Sequence, residues 1–346
     1  MINNLNIKSF FEGEVYSMFG NITDVPGVKV GHAENNEGIT GCTVILAENG
    51  AVCGVDVRGS APGTRETDAL DPINEIDRVH GICLSGGSAF GLDAATGVMQ
   101  YLEEQGVGVD AGVTTIPIVP SAVLFDLFIG DPKTRPTAQM GYEAAKSAIV
   151  GPFANGNTGA GYGATVGKLA GPQFCMKGGL GSAAIAGKND LVVGAIVAVN
   201  AVGDIKDPNT RQILAGARNP KTGEWLDCCV YLEEHVQSEA LSGTNTTIGV
   251  IAVNAKLTKA EAKKIAQLTQ NALARTIYPV HTMLDGDTVF VLGTGDKTYP
   301  VDYLGHLATT VMEEAILVGV KEADRLAEVE SYKSIQIKSI EGTGGN

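Results

Sequence analysis

The sequence is short of positive charge and of the residue patterns that bind metals. It carries 25 lysines and arginines against 39 aspartates and glutamates, which gives a formal net charge of −14 at pH 7. A surface of that sign repels phosphate, so we expect neither nucleic acid nor an anionic membrane as a partner. The five histidines and six cysteines are dispersed, without an HExxH or CxxC motif. We therefore expect no metal centre and no disulfide framework.

Long hydrophobic runs and a recognisable targeting segment are also missing. No stretch reaches the ~18 consecutive apolar residues of a membrane span. Residues 1–8 lack the basic cluster and apolar run of a signal peptide, so we expect a cytoplasmic protein with free thiols. Glycine is abundant, with 45 of 346 residues, roughly twice the average share of ~7%. Since 44% of the residues are hydrophobic and no repeat or linker is found, one domain is expected over residues 1–346.

Short β-branched segments alternate with longer segments of helical periodicity from about residue 22 to residue 330. This mixture predicts an α/β or layered α+β fold. The predicted strands cover residues 28–30, 42–46, 53–57, 81–84, 116–118, 124–128, 183–186, 191–200, 246–253 and 288–293. The predicted helices cover residues 92–104, 137–148, 259–276 and 305–325, and residues 203–225 are predicted to form an excursion.

Two glycine-rich segments come close to known motifs but lack essential residues. A phosphate-binding loop GxxxxGK[ST] would need glycine at Tyr162 and a hydroxyl residue at Leu169, so Lys168 is not predicted to bind a nucleotide. The segment around Ser88 approaches the GxSxG nucleophile motif, but Phe90 occupies the second glycine position. A packed turn between strand and helix is the favoured interpretation there.

A polar segment, Ser-Gly-Thr-Asn-Thr-Thr at residues 242–247, directly precedes a predicted buried strand. One interpretation is an ordinary turn. The other is chemical, because the hydroxyl of Thr246 can attack the carbonyl of Asn245 and cut the chain by an N→O acyl shift followed by hydrolysis. A terminal threonine then carries both a nucleophile and a nearby amine base.

A second polar segment, residues 281–288, places Asp285 and Asp287 on a glycine turn at the start of another strand. Two acids one residue apart can face a single site. Crowding then raises the pKa of one of them and leaves a proton to share with a nearby hydroxyl. The alternative is a solvated Asp-Gly turn.

Together, the motifs at residues 245–248, 281–288 and 161–168 resemble those of the L-aminopeptidase/D-esterase (DmpA-like) superfamily. This superfamily includes β-peptidyl aminopeptidases and 6-aminohexanoate (nylon) oligomer endohydrolases. The resemblance runs from about Ile22 to Gly319. It implies an α+β fold, a four-layer αββα sandwich similar to that of N-terminal-nucleophile hydrolases. It also implies self-cleavage between Asn245 and Thr246 into associated chains 1–245 and 246–346, and homo-oligomers, as tetramers or larger.

The resemblance also implies a role for each matching residue. Thr246 matches the nucleophile of both self-cleavage and substrate hydrolysis. Asp285 and Asp287 match the acidic loop that polarises its hydroxyl. Lys168 matches a lysine that bonds the nucleophile or steers its protonation, and Asn200 matches the amide that holds the developing oxyanion.

Two features separate this sequence from other branches of the superfamily. A threonine nucleophile with two aspartates resembles the nylon-oligomer branch, whereas the aminopeptidase branch uses serine with a serine and a carboxylate. Phe125 stands where relatives place a tyrosine of the substrate pocket, so that hydroxyl is absent unless Tyr162 replaces it.

The sequence therefore predicts an autoprocessed threonine amidohydrolase that works through an acyl-enzyme, without a metal or an organic cofactor. The expected substrates are short linear amides, such as 6-aminohexanoate oligomers or peptides of β- or ω-amino acids. The alternatives are an aminopeptidase that acts on free N-termini of small peptides, and a non-enzymatic scaffold.

Overall fold

The computed structural model describes residues 18–235 and 245–343, and of residues 338–343 only the backbone. Residues 1–8 and residues 242–244 of the predicted cleavage motif lie outside this range. The strands are β1 (Lys29–Asn35), β2 (Thr40–Val57), β3 (Thr64–Arg65), β4 (Arg78–Ser85), β5 (Val109–Asp110), β6 (Thr115–Ile116), β7 (Ser121–Val123), β8 (Thr165–Val166), β9 (Met176–Lys177), β10 (Gly179–Ala186), β11 (Val192–Asn200), β12 (Asp204–Lys206), β13 (Ile213–Ala215), β14 (Thr246–Ala255), β15 (Ile277–Tyr278) and β16 (Thr288–Lys297). The α-helices are α1 (Ala94–Glu104), α2 (Ala138–Lys146), α3 (Cys228–Glu234), α4 (Lys259–Thr276), α5 (Val301–Lys321) and α6 (Tyr332–Thr343).

Nine strands form one mixed sheet in the order β10-β11-β14-β16-β2-β4-β7-β3, and β1 also pairs with β2. Strand β14 runs parallel to β16 and β4 runs parallel to β7, whereas the other neighbours are antiparallel. Strand β2 is 18 residues long. Residues 40–46 of this strand pair with β1, residues 42–46 and 51–52 pair with β4, and residues 52–57 pair with β16, so this strand connects the two parts of the sheet.

Alternate side chains of the strands enter different cores, which gives the molecule four layers. In β11, Val197 packs in a core with α4 and α5, whereas Ile196 faces an inner core. In β2, Val44 packs in a core with α1 and α2, whereas Ile45 faces the same inner core. The resulting order, helices, sheet, sheet, helices, is the αββα sandwich of the α+β class that was predicted.

The amphipathic helix predicted over residues 259–276 is present and begins where its capping residue indicates. Thr258 Oγ1 accepts from the N–H of Glu261 at 3.2 Å, and a Glu261 carboxylate oxygen accepts from the N–H of Thr258 at 2.8 Å. This reciprocal pair satisfies two N–H groups that the first turn leaves without helical partners. The excursion at residues 203–225 contains β12 and β13, which form a small sheet with β15.

Several predicted boundaries are wrong. Residues 124–128 are not a strand, because the buried carboxylate of Asp126 turns inward to accept from Thr40 Oγ1 at 2.6 Å and from the N–H of Gly87 at 2.7 Å. The strands predicted at residues 42–46 and 53–57 belong to the single strand β2, and residues 116–118 overlap only the short β6. The closing helix begins at Val301, directly after Pro300, and ends at Lys321. No helix within residues 18–235 and 245–343 combines the length and apolar character needed to cross a membrane.

Candidate active site

The predicted site residues converge at the first residue of β14. The antiparallel register of β11 and β14 places Thr246 directly opposite Asn200. On its other side, β14 runs parallel to β16, whose first residue follows the acidic loop, and Asn245 forms a backbone bridge with Asp285. Thr246 itself is buried, with 4% of its surface exposed. Residues from four distant parts of the chain therefore meet because strand ends coincide.

The carbonyl group of Asn245 lies between two hydrogen-bond donors. The Thr246 hydroxyl donates to the Asn245 carbonyl oxygen, and the N–H of Gly286 donates to the same oxygen at 2.9 Å. A side chain at Gly286 would place its Cβ 2.8 Å from Thr246 Oγ1 and 2.7 Å from the carbonyl oxygen of Ala61. Only glycine fits there. This backbone donor was not predicted, although the Asp-Gly-Asp spacing of the acidic loop was its signal.

Asp287 connects the acidic loop to the start of β14. Its Oδ1 accepts from the N–H of Thr247 at 2.8 Å. Its Oδ2 lies 2.8 Å from Nδ1 of His281, whose backbone N–H also donates to this oxygen at 3.3 Å. The side chain is almost fully buried. Asp287 is thus tied to the residue that follows the candidate nucleophile.

Asp285 is buried beside Asp287 and accepts three hydrogen bonds. Its Oδ1 accepts from the N–H of Val202 at 3.2 Å, and its Oδ2 accepts from the N–H and the hydroxyl of Thr282 at 3.0 and 2.6 Å. Burial raises the pKa of Asp285 to about 6, and the negative charge of Asp287 adds to the rise. Burial, rather than crowding, is the larger cause. A carboxyl group with this pKa can take up and release protons close to neutral pH.

This pKa predicts a pH-dependent stability difference between the chain and its Asp285→Asn variant. Because the folded-state value lies above the ordinary 3.8, the folded protein binds more protons than the unfolded chain between about pH 4 and pH 6. The stability contributed by protonated Asp285 is therefore present at pH 4 and lost by pH 7. Relative to Asp285→Asn, the free energy of unfolding is expected to fall by up to about 3 kcal/mol over this interval.

Guanidinium unfolding at pH 4 and pH 7 measures this difference, with Thr246→Ala in both chains to keep them uncut. The asparagine variant is the matched control, since every other titrating group is common to the two proteins. A difference that is the same at both pH values would contradict the raised pKa.

Lys168 and Asn200 form one buried hydrogen-bonded unit opposite Thr246. The Lys168 ammonium nitrogen donates to the carbonyl oxygen of Asn200 at 3.0 Å and to its Oδ1 at 2.9 Å. Burial lowers the pKa of Lys168 to about 7, although Cys175 and Asp285 act in the opposite direction. Lys168 can therefore exist in both protonation states at neutral pH.

The side-chain amide of Asn200 uses one of its two N–H groups in a hydrogen bond with a described residue. Its Oδ1 also accepts from the N–H of Thr165 at 3.0 Å, and its Nδ2 donates to the carbonyl oxygen of Phe125 at 3.0 Å. An amide NH₂ has two donors. Within the described residues no acceptor is found for the second one, which is consistent with its predicted role toward an oxyanion.

The two predicted pocket residues are placed differently. Phe125 contacts the cluster through its carbonyl group, and its ring packs against Phe128 with centroids 4.9 Å apart. The hydroxyl of Tyr162 donates to Asn36 Oδ1 at 2.7 Å. Its partner is thus a loop residue outside the Thr246 cluster, and the hydroxyl missing at Phe125 is not replaced by Tyr162 in this arrangement.

Sequence reasoning missed two buried charged residues behind the site. Lys177 is fully buried and donates to the carbonyl oxygens of Tyr162 and Ala164, each at 2.8 Å. Burial lowers the pKa of Lys177 to about 7. Asp126, whose pKa burial raises, anchors the turn that follows β7. A lone lysine beside two glycines, and an aspartate inside an apolar segment, were the only signals for them.

The sequence of this chain is similar to those of known peptidases. The model of Peptidase family S58 matches residues 20–333. An uncharacterized aminopeptidase of Mycobacterium leprae (strain TN) is 41% identical over 347 residues, which cover 90% of this chain and 92% of that protein. A 6-aminohexanoate-oligomer endohydrolase of Kocuria sp. (strain KY2) is 32% identical over 315 residues, which cover 86% of this chain and 85% of that protein.

Solved structures share the fold at lower sequence identity. A beta-aminopeptidase of Burkholderia sp. matches with a TM-score of 0.68 and 20% identity, over 95% of both chains. The L-aminopeptidase D-Ala-esterase/amidase of Ochrobactrum anthropi, a variant of the Ntn-hydrolase fold, matches with a TM-score of 0.69 and 16% identity, over 94% of both chains. These two structures have the predicted fold, and their similarity to this chain extends over nearly its whole length.

Proposed function

The chain belongs to peptidase family S58, whose members hydrolyse peptide or amide bonds, and we propose that it cuts itself between Asn245 and Thr246 to release a threonine nucleophile. One observation carries the proposal: the Thr246 hydroxyl lies at the carbonyl group of Asn245, and the Gly286 N–H is bonded to the same carbonyl oxygen. The proposal is supported because this hydroxyl, the Asn245–Thr246 peptide bond and a donor for the developing negative charge lie together.

Self-cleavage proceeds by acyl transfer followed by hydrolysis. Thr246 Oγ1 attacks the carbonyl carbon of Asn245, and the Gly286 N–H stabilises the oxyanion of the tetrahedral intermediate. The hydroxyl proton passes to the acid pair and is returned to the nitrogen of Thr246 as the C–N bond breaks. Water then hydrolyses the ester. The products are residues 1–245 with a new carboxylate and residues 246–346 with a new α-amine.

Substrate hydrolysis uses the same hydroxyl on a second amide. The α-amine of Thr246 accepts the hydroxyl proton while Oγ1 attacks the substrate carbonyl, and that proton leaves with the amine product. The second N–H of Asn200, for which no described residue is an acceptor, stabilises the oxyanion in this proposal, and Lys168 supports the protonation changes with its pKa of about 7. Water releases the acyl group from the ester. No described residue outside this cluster is needed for the cycle.

Mass spectrometry of the purified wild-type protein tests self-cleavage. Two chains of 245 and 101 residues are expected, with Thr246 as the first residue of the smaller one. A fully active protein in a single unbroken chain would refute the proposal.

We propose short linear amides as substrates, with 6-aminohexanoate oligomers and peptides of β- or ω-amino acids as the leading classes. The support is the combination of Thr246 with Asp285 and Asp287, together with the 32% identity to a 6-aminohexanoate-oligomer endohydrolase. The alternative is an aminopeptidase that acts on free N-termini, and the name of the 41% identical relative favours it. In either case we propose that the cleaved heterodimers assemble into homo-oligomers, as tetramers or larger.

A blocked substrate separates the two modes. Because an endohydrolase needs no free amine, the 6-aminohexanoate trimer and its N-acetylated form are expected to be hydrolysed at rates within about tenfold of each other. An aminopeptidase holds the substrate amine with acidic groups, so blocking that amine removes an ion pair from the transition state. Chromatographic rates for both substrates measure the ratio. A hydrolysis rate more than about 100-fold lower for the acetylated trimer than for the free trimer would establish the aminopeptidase mode.

A further inference from the structure

His281 has no part in the proposed steps, yet its backbone is unusual. Its φ is +54°, in the left-handed region that L side chains rarely adopt. Backbone conformations of this kind persist only where surrounding contacts hold them, and they cluster at functional sites. The contacts of His281 therefore indicate which interaction this backbone conformation serves.

Those contacts lead to Asp287. Imidazole Nδ1 lies 2.8 Å from Asp287 Oδ2, and the His281 backbone N–H donates to the same oxygen at 3.3 Å. The other carboxylate oxygen accepts from the N–H of Thr247, one residue after the nucleophile. Among residues 18–235 and 245–337, His281 is the one side chain that donates to this carboxylate.

The second ring nitrogen defines the tautomer. Nε2 of His281 is buried, and no described residue forms a hydrogen bond with it. An unpaired buried N–H is less tolerated than an unpaired lone pair. Nδ1 therefore carries a proton, which it donates to Asp287.

We propose that His281 is a positioning residue that keeps the negative charge of the acid pair on Asp287 and the shared proton on Asp285. A hydrogen bond to the ionised form of a carboxyl group favours that form. Asp287 receives such a bond from a ring, whereas the side-chain donor to Asp285 is the Thr282 hydroxyl, which can equally accept. The inference rests on the proposed self-cleavage, in which this pair receives and returns the hydroxyl proton.

Other charged groups near the pair do not duplicate this contact. Lys168 acts on Asp285 from the glycine-rich segment. Arg58, at the end of β2, donates its backbone N–H to the carbonyl oxygen of Asp287, while its guanidinium group pairs with Asp56. The distribution of the proton between the two acids thus depends on the His281 ring.

Two substitutions at His281 test this role with residues that tolerate the left-handed backbone conformation. Glycine accepts the left-handed conformation but has no donor, whereas asparagine tolerates it and carries an N–H₂ group at a similar reach to Nδ1. In the wild-type background, His281→Gly is expected to slow self-cleavage by about 10- to 100-fold, and His281→Asn by less than about threefold. Self-cleavage in the glycine variant at the wild-type rate would overturn the inference and leave the role of Thr246 intact.

A second measurement decides the inference without depending on cleavage. In the full-length Thr246→Ala chain labelled with ¹³C-aspartate, Asp285 is the member of the acid pair whose carboxyl carbon is expected to titrate near pH 6. Adding His281→Gly is expected to distribute that titration over both carboxyl carbons, and His281→Asn to restore the first pattern. A purely structural role would leave the pattern unchanged. Titration of both carbons with His281 present, or of Asp285 alone without it, would overturn the proposal.

Discussion

Thr246→Ala is expected to abolish both self-cleavage and substrate hydrolysis. The variant chain is expected to remain a single band of 346 residues on a denaturing gel, and hydrolysis to fall by about 10⁴-fold or more. The reason is that the substitution removes the hydroxyl that donates to the carbonyl oxygen of Asn245. Thr246→Ser keeps an attacking oxygen and is expected to retain cleavage. Mass spectrometry and a rate assay measure the two losses.

The neighbouring threonine supplies a matched control. Thr247 is fully buried in the same strand, but no described residue pairs with its hydroxyl. Thr247→Ala therefore makes the same chemical change one residue away and is expected to leave cleavage intact, as is Ser88→Ala in the turn after β4. If Thr246→Ala still yielded the chain of 101 residues, another group would be the nucleophile.

Replacing Lys168 with methionine is expected to reduce both reactions by about 100-fold or more. The substitution keeps the length and apolar stem of the side chain but removes the donors to the carbonyl oxygen and Oδ1 of Asn200. The amide opposite Thr246 then loses its orientation, and a preorganised donor of this kind contributes on the order of 10²–10³ to a rate. The expected rate profile of the wild type has an inflection near pH 7, from the pKa of Lys168, which the variant lacks.

Lys177→Met separates this effect from the general consequences of removing a buried charge. Both lysines are buried and both have a pKa lowered to about 7. Among the described residues, however, the Lys177 ammonium group donates only to the backbone carbonyls of Tyr162 and Ala164. Its loss is expected to lower the free energy of unfolding by about 2 kcal/mol and the rate by less than about tenfold. Guanidinium unfolding and the assay of self-cleavage measure both. Equal rate losses in the two variants would refute a specific role for Lys168.

Most of the site could be predicted because its residues stand at the ends of strongly patterned strands. The apolar segments before Asn200 and after Thr246 and Asp287 are long and β-branched, so their strand assignment is secure. The motif resemblance then linked segments that are distant in sequence. The same patterning identified helices of both outer layers.

The remaining features depend on contacts that a single sequence does not encode locally. The Gly286 donor is a backbone group, and its direction follows from the register between β14 and the acidic loop. The strand predicted over residues 124–128 is absent because the buried carboxylate of Asp126 accepts hydrogen bonds from other segments. The partner of the Tyr162 hydroxyl, Asn36, lies 126 positions away in the chain. Each of these depends on tertiary placement rather than on propensity.

The place of β14 in the sheet determines what self-cleavage would leave behind. This strand and its parallel neighbour β16 both belong to the fragment 246–346, yet they lie between β11 and β2 of the other fragment. The severed halves would be interleaved, so neither could dissociate without opening the central hydrogen-bonded ladder. Refolding of the processed protein would then require two separate chains to associate. The recovered fraction would therefore depend on protein concentration for the processed enzyme but not for its uncut Thr246→Ala counterpart.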